Sequence, residues 1–192
     1  MNTQAHLIIG TAVFAKPDSW KINTAAIAGS LAPDISLYVL AIYYLFIQDV
    51  PPSIVFGQMY FSDQWQDIFK VDNSIFVWGT FIAIGFYLKN SIIKIFGLAG
   101  FLHLILDFPL HHDDGRAHFW PISDWIFSSP ISYWDDGHYG NIIGPLEAIL
   151  SIILCGILLM RFRTLRARIM ILLLGFLEVF PIFANIYGRL FN

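Results

Sequence analysis

The chain has 192 residues, of which 57% are hydrophobic and only 13% charged, and its formal net charge is −3. A soluble domain carries about 25% charged residues, so half of the solvating charge is missing, and a soluble globular fold is excluded. The slightly acidic balance offers no surface for nucleic acid, and the single cysteine, Cys155, excludes an internal disulfide or a thiolate zinc site.

The apolar residues are gathered into long segments, which predicts an all-α, polytopic membrane bundle of about five spanning helices plus a short N-terminal helix, in one integral domain over 1–192. Met1–Ala5 holds no Lys or Arg, and Leu7–Ala15 runs directly into Lys16-Pro17. This start therefore reads as part of the mature fold rather than a cleaved signal. The first helix is expected over Gln4–Ala15, too short to span. The second covers Ile22–Ile47, interrupted at Pro33-Asp34. The third covers Ser74–Leu88 and the fourth Ile92–Leu110, where Pro109 ends or bends it. The fifth and sixth, Ile142–Met160 and Ile169–Ile186, are the cleanest spans. Gln48–Asn73 and His111–Asn141 remain as polar connections, and no internal repeat is visible. Trp120, Trp125 and Trp134 suit an interfacial belt.

Charge sets the orientation. Lys16, Lys21, Lys89, Lys94, Arg161, Arg163, Arg166 and Arg168 all fall in alternate connections, which makes that face cytoplasmic by the positive-inside rule. The opposite connections carry Asp49, Asp63, Asp67, Asp72, Asp113, Asp114, Asp124, Asp135 and Asp136. The 111–141 connection is thus a His/Asp-rich loop on the non-cytoplasmic side.

Ionisable groups inside a membrane are costly, so each needs a partner or a purpose. They are His6, Asp34, His103, Asp107, Glu147 and Glu178. At about 1.5 Å of rise per residue, His6, Asp34, His103, Asp107 and Glu147 lie roughly 15–23 Å above the cytoplasmic turns, in one layer. His103 and Asp107 are i,i+4, on one face of a helix, and can grip one ion or pair with each other to hold helices together. Beyond Pro109, His111-His112-Asp113-Asp114 turns back over the mouth of that helix. Imidazole and carboxylate at this density predict a divalent metal, zinc first, with manganese or iron as alternatives. Asp34, following Pro33, could also cap the upper half of its helix.

The residues Ala5-His6-Leu7-Ile8-Ile9-Gly10, Leu31-Ala32-Pro33-Asp34-Ile35-Ser36, His103 with Asp107, and Trp120-Pro121 resemble the motifs of the membrane-bound metal-dependent hydrolases, described as LexA-binding, inner-membrane-associated hydrolases. Ser36 stands where that family has a second acidic residue, and no histidine occurs between His6 and His103, where the family carries further ones. His111, His112 and His118 are candidates to supply those donors from a later position.

The resemblance implies a hydrolase of a bacterial inner membrane. The expected ligands are His6, Asp34, His103, Asp107 and His112, with His111 as the substitute. Asp113 or Glu147 would accept the proton of the attacking water, and Arg116 would neutralise a phosphate. A site at headgroup depth favours a lipid phosphoester or acyl ester of the outer leaflet over a soluble metabolite. A metal-ion or proton transporter, and a structural membrane protein held by an ion-pair cluster, are the other two classes that fit these residues.

Overall fold

A computed structural model describes the backbone of residues 1–191 and the side chains of residues 1–181. Helices make up the regular structure, and no strand occurs among the described residues. The helices are α1 (Thr3–Phe14), α2 (Trp20–Leu31), α3 (Ile35–Ile42), α4 (Pro52–Ile54), α5 (Asp63–Asp72), α6 (Ile75–Tyr87), α7 (Ser91–Asp107), α8 (Gly140–Arg161) and α9 (Leu165–Phe191).

Three columns among the described residues are long and apolar enough to cross a membrane: Trp20–Ile47, Asp63–Tyr87 and Gly140–Arg161. Side chains such as Val39, Ile42, Phe46, Ile149 and Ile153 on two of these columns are exposed, as an apolar solvent requires.

Local signals account for the boundaries. The side chains of Ser62, Ser74 and Asn90 accept backbone N–H groups in the first turns of α5, α6 and α7. α7 stops at Asp107, two residues before Pro109. At Pro33 the column does not break: Ala32–Asp34 tightens into a 3₁₀ turn, closed by the Ile35 N–H on the Ala32 carbonyl, and α3 continues.

Two expectations need correction. Gln48–Asn73 is no simple polar connection: α4, a π-helical stretch Val55–Met59 and α5 occupy most of it. Trp65 and Phe69, one turn apart on α5, are buried with Val55 and Ala41 in a local core. That face compensates for the polar residues on the other, as expected of an amphipathic helix. Asp34 is not a side-chain helix cap, since its carboxylate makes no cap hydrogen bond.

α1 lies at the centre, in contact with α2, α7, α8 and α9. Ile8 and Ala12 pack with Cys155, Leu158 and Ile171 in one core. Two glycines let the neighbours come close. A Cβ on Gly10 would stand 1.8 Å from Ser30 Oγ, and one on Gly29 would stand 2.3 Å from the Phe96 carbonyl oxygen. Only hydrogen fits at either place, so α1, α2 and α7 meet nearly backbone to backbone.

The basic connections gather at one end. The Arg161 guanidinium donates to the carbonyls of Ala12 and Ala15, joining the α8–α9 turn to the α1–α2 turn. Trp20 and Lys21 border the same cavity as Ile92 and Ile93, which brings the α6–α7 turn alongside.

Candidate metal centre

At the opposite end, the start of α1 meets the end of α7 and the 3₁₀ turn of residues 32–34. His6 and His103 stack with ring centroids 3.5 Å apart and planes 7° from parallel. Both address one carboxylate: His6 Nε2 is 2.8 Å from Asp107 Oδ1, and His103 Nε2 is 3.1 Å from Asp107 Oδ2. Asp34 Oδ1 lies 3.6 Å from the same His103 nitrogen. One potential ligand atom from each of His6, His103 and Asp107 lies within 4.8 Å of the others, and all three residues are buried.

The orientation of His103 follows from its surroundings. Its Nδ1–H donates to the Ser30 carbonyl at 2.7 Å, which turns Nε2 toward two carboxylates. That nitrogen makes no hydrogen bond, and its side chain is fully shielded. His6, His103 and Asp107 each offer a donor atom toward one point, so the donor set fits a metal ion.

A polar cavity of about 260 Å³ opens above this group. Asp34, Asp107, His111, Arg116, Tyr133, Tyr60 and Asn73 are among its walls. The Thr3 hydroxyl donates to Asp34 Oδ2 and receives the Tyr38 hydroxyl at 2.8 Å. The Met1 amine sits against Asp107 Oδ1. Arg116 lies 4.7 Å from the Tyr60 ring and 4.3 Å from the Phe69 ring, while donating to the Tyr60 hydroxyl and to Gln66. Stacking fixes this guanidinium at the cavity without a carboxylate partner of its own.

The remaining expected residues separate. His111 is brought to the centre, with Nε2 3.3 Å from Asp107 Oδ1 and Nδ1 2.9 Å from Asp114 Oδ2. His112, expected as the ligand with His111 in reserve, makes its contacts elsewhere: Nδ1 donates to the Ser129 carbonyl at 2.6 Å, and its ring stacks on His138 at 3.4 Å. Asp113 is exposed, and neither it nor Glu147 lines the cavity. Glu147 is buried, and its Oε1 accepts the Asn2 backbone N–H at 2.7 Å. Sequence reasoning placed Asp114 only within the His-His-Asp-Asp turn, without its pairing to His111, and missed Tyr133, Tyr60 and Asn73. Asn73 is the strut between parts, donating to the carbonyls of Pro33 and Phe69 while its own carbonyl receives His118 Nδ1–H.

Outside the spanning columns, titration follows contact. Burial opposes the His111 imidazolium, but the carboxylates of Asp107 and Asp114 outweigh it and raise its pKa. Burial likewise opposes the Asp114 carboxylate, yet His111 holds it below the ordinary range. Burial pushes the Tyr60 phenol up to about 12 despite Arg116, and lifts Tyr133 well above its ordinary value. Both phenols therefore stay protonated and able to donate at neutral pH.

Compared with protein-family models, curated proteins and solved structures, the chain matches none.

Proposed function

We propose that this chain is a metal-dependent hydrolase of the membrane, acting on an ester of a lipid at the non-cytoplasmic face. The observation that carries the proposal is the convergence of His6, His103 and Asp107, with Asp34 beside them, beneath a polar cavity that Asp34 and Asp107 line. His6, His103 and Asp107 would hold the ion, with Asp34 and His111 completing its surroundings. Zinc is the first choice, and such an ion lowers the pKa of a bound water toward neutrality.

The chain's own groups supply the rest. Asp34 lines the cavity where Asp113 and Glu147 do not, so it is placed to accept the water's proton. Arg116, fixed over the cavity, would bind a phosphoryl oxygen, which favours a phosphoester over an acyl ester. Tyr60 and Tyr133 would donate to the ester oxygens. Five spans are proposed, adding α7 and α9 to the three long apolar columns. With the basic end in the cytoplasm of a bacterial inner membrane, the cavity opens at the opposite leaflet.

Elemental analysis of detergent-purified protein is the first test. One equivalent of transition metal in wild type, lost in His103→Ala and Asp107→Asn, is expected. Vesicles of defined phospholipids would then be hydrolysed by wild type and not by either variant. Metal without any hydrolysis would favour a structural cluster, and metal uptake into sealed proteoliposomes would favour a transporter.

A further inference from the structure

Across α1 from the metal centre lies a second group of ionisable side chains. Glu147 on α8 and Glu178 on α9 are 5% and 1% exposed. Their carboxyls lie within hydrogen-bonding reach of each other. Asn2 bridges them, donating its backbone N–H to Glu147 Oε1 and its side-chain amide to Glu178 Oε1 at 3.5 Å. The second oxygen of each carboxyl, Oε2, has no other partner among the described residues. Ser151, one turn beyond Glu147 on α8, is fully buried, and its hydroxyl is unpartnered as well.

The titratable groups around the pair are the Met1 amine, Asp107 of α7 and the thiol of Cys155 on α8. No Lys, Arg or His makes an ion pair with either glutamate among the described residues.

We propose that Glu147 and Glu178 form a proton-binding site in the bundle interior, one proton being held between the two facing carboxyl groups. Two adjacent carboxylates cannot both ionise in an apolar interior, because each charge lacks solvation and repels the other. One shared proton removes half of that charge and supplies the missing donor. The Asn2 N–H groups solvate the remaining negative charge. Uptake of a second proton turns the pair into two neutral carboxylic acids, and loss of it restores the shared state. The pair can thus take up and release a proton within the bundle interior. It stands or falls without the hydrolase reading, because it needs neither metal nor substrate.

Infrared difference spectroscopy between two pH values, on wild type reconstituted in lipid nanodiscs, tests the proposal. Wild type is expected to show one buried protonated-carboxyl C=O band per chain at neutral pH, shifting on exchange into D2O. Glu178→Gln and Glu147→Gln should each lose that band with helical content unchanged, because the amide donates to the remaining carboxylate in the proton's place. Absence of the band in wild type overturns the proposal on its own, whatever the variants do. A band that persists in both single variants and vanishes only in the double variant means two independent acids, and also overturns it. So does sodium or a divalent ion retained by wild type and released by Glu178→Gln.

Discussion

His111 and Asp114 illustrate how a polar connection becomes part of a buried site. Their ion pair shields two groups that would each be costly to leave unpaired. His111 has a raised pKa, so its contribution is complete below the ordinary imidazole range and is lost as pH rises through the raised value. Asp114 has a lowered one, so its contribution is complete above the ordinary carboxylate range and is lost as pH falls through the lowered value. Metal-stripped protein should therefore melt highest between those two ranges, and His111→Gln should flatten the alkaline fall in thermal melts followed by circular dichroism. Asp114→Asn should cost about 1–3 kcal/mol of stability at mildly acidic pH. At the cavity, Arg116→Ala should lower kcat/KM on a lipid phosphoester roughly ten- to a hundredfold, the worth of a charge-assisted hydrogen bond, while leaving bound metal intact. His6, Asp34, His103 and Asp107 were legible in the sequence because an ionisable group in an apolar run demands an explanation. Tyr60, Tyr133 and Asn73 were not, because they lie in stretches of ordinary polar composition where only the fold gives them neighbours. The exchange of roles between His111 and His112 was equally hidden, since one step of loop backbone decides which ring faces Asp107.

At the scale of elements, the site depends on how closely three helices approach. Gly29 precedes Ser30, whose carbonyl holds His103, and Gly10 lies one turn beyond His6. Gly29→Ala should force α2 and α7 apart at a cost of about 1–3 kcal/mol, as overpacking does, and should weaken metal retention in the same measurement. Alanine at Gly79, which has open space around its Cβ position, is the control and should leave metal retention unchanged. Two of the three apolar columns, Trp20–Ile47 and Gly140–Arg161, were readable from composition to within a few residues, because membrane length and hydropathy constrain them strongly, whereas the third, Asp63–Tyr87, begins well before its expected start at Ser74. α5 was read as a loop on account of Asp63, Gln64, Gln66 and Asp67. Its signals were a Ser62 cap and the one-turn spacing of Trp65 and Phe69, a pattern that reveals an amphipathic helix only when spacing is weighed above mean polarity.

For the molecule as a whole, the gathering of basic turns at one end and imidazoles and carboxylates at the other fits an asymmetric placement in the bilayer. In a Cys155→Ala background, Ser128→Cys should react with a membrane-impermeant thiol reagent added outside intact cells. Thr164→Cys should react only after the membrane is opened, and the reverse pattern would invert the orientation. The bond between Arg161 and the carbonyls of Ala12 and Ala15 joins residues nearly 150 positions apart, 149 in the case of Ala12. While a ribosome is still making the first half of the chain, those carbonyls have no such donor. The opening helix therefore gains its full complement of bonds only after α8 has been synthesised and inserted. Because His6 rides on that helix, a chain cut before α8 would lack the bonds that tie the far end of its helix to the bundle.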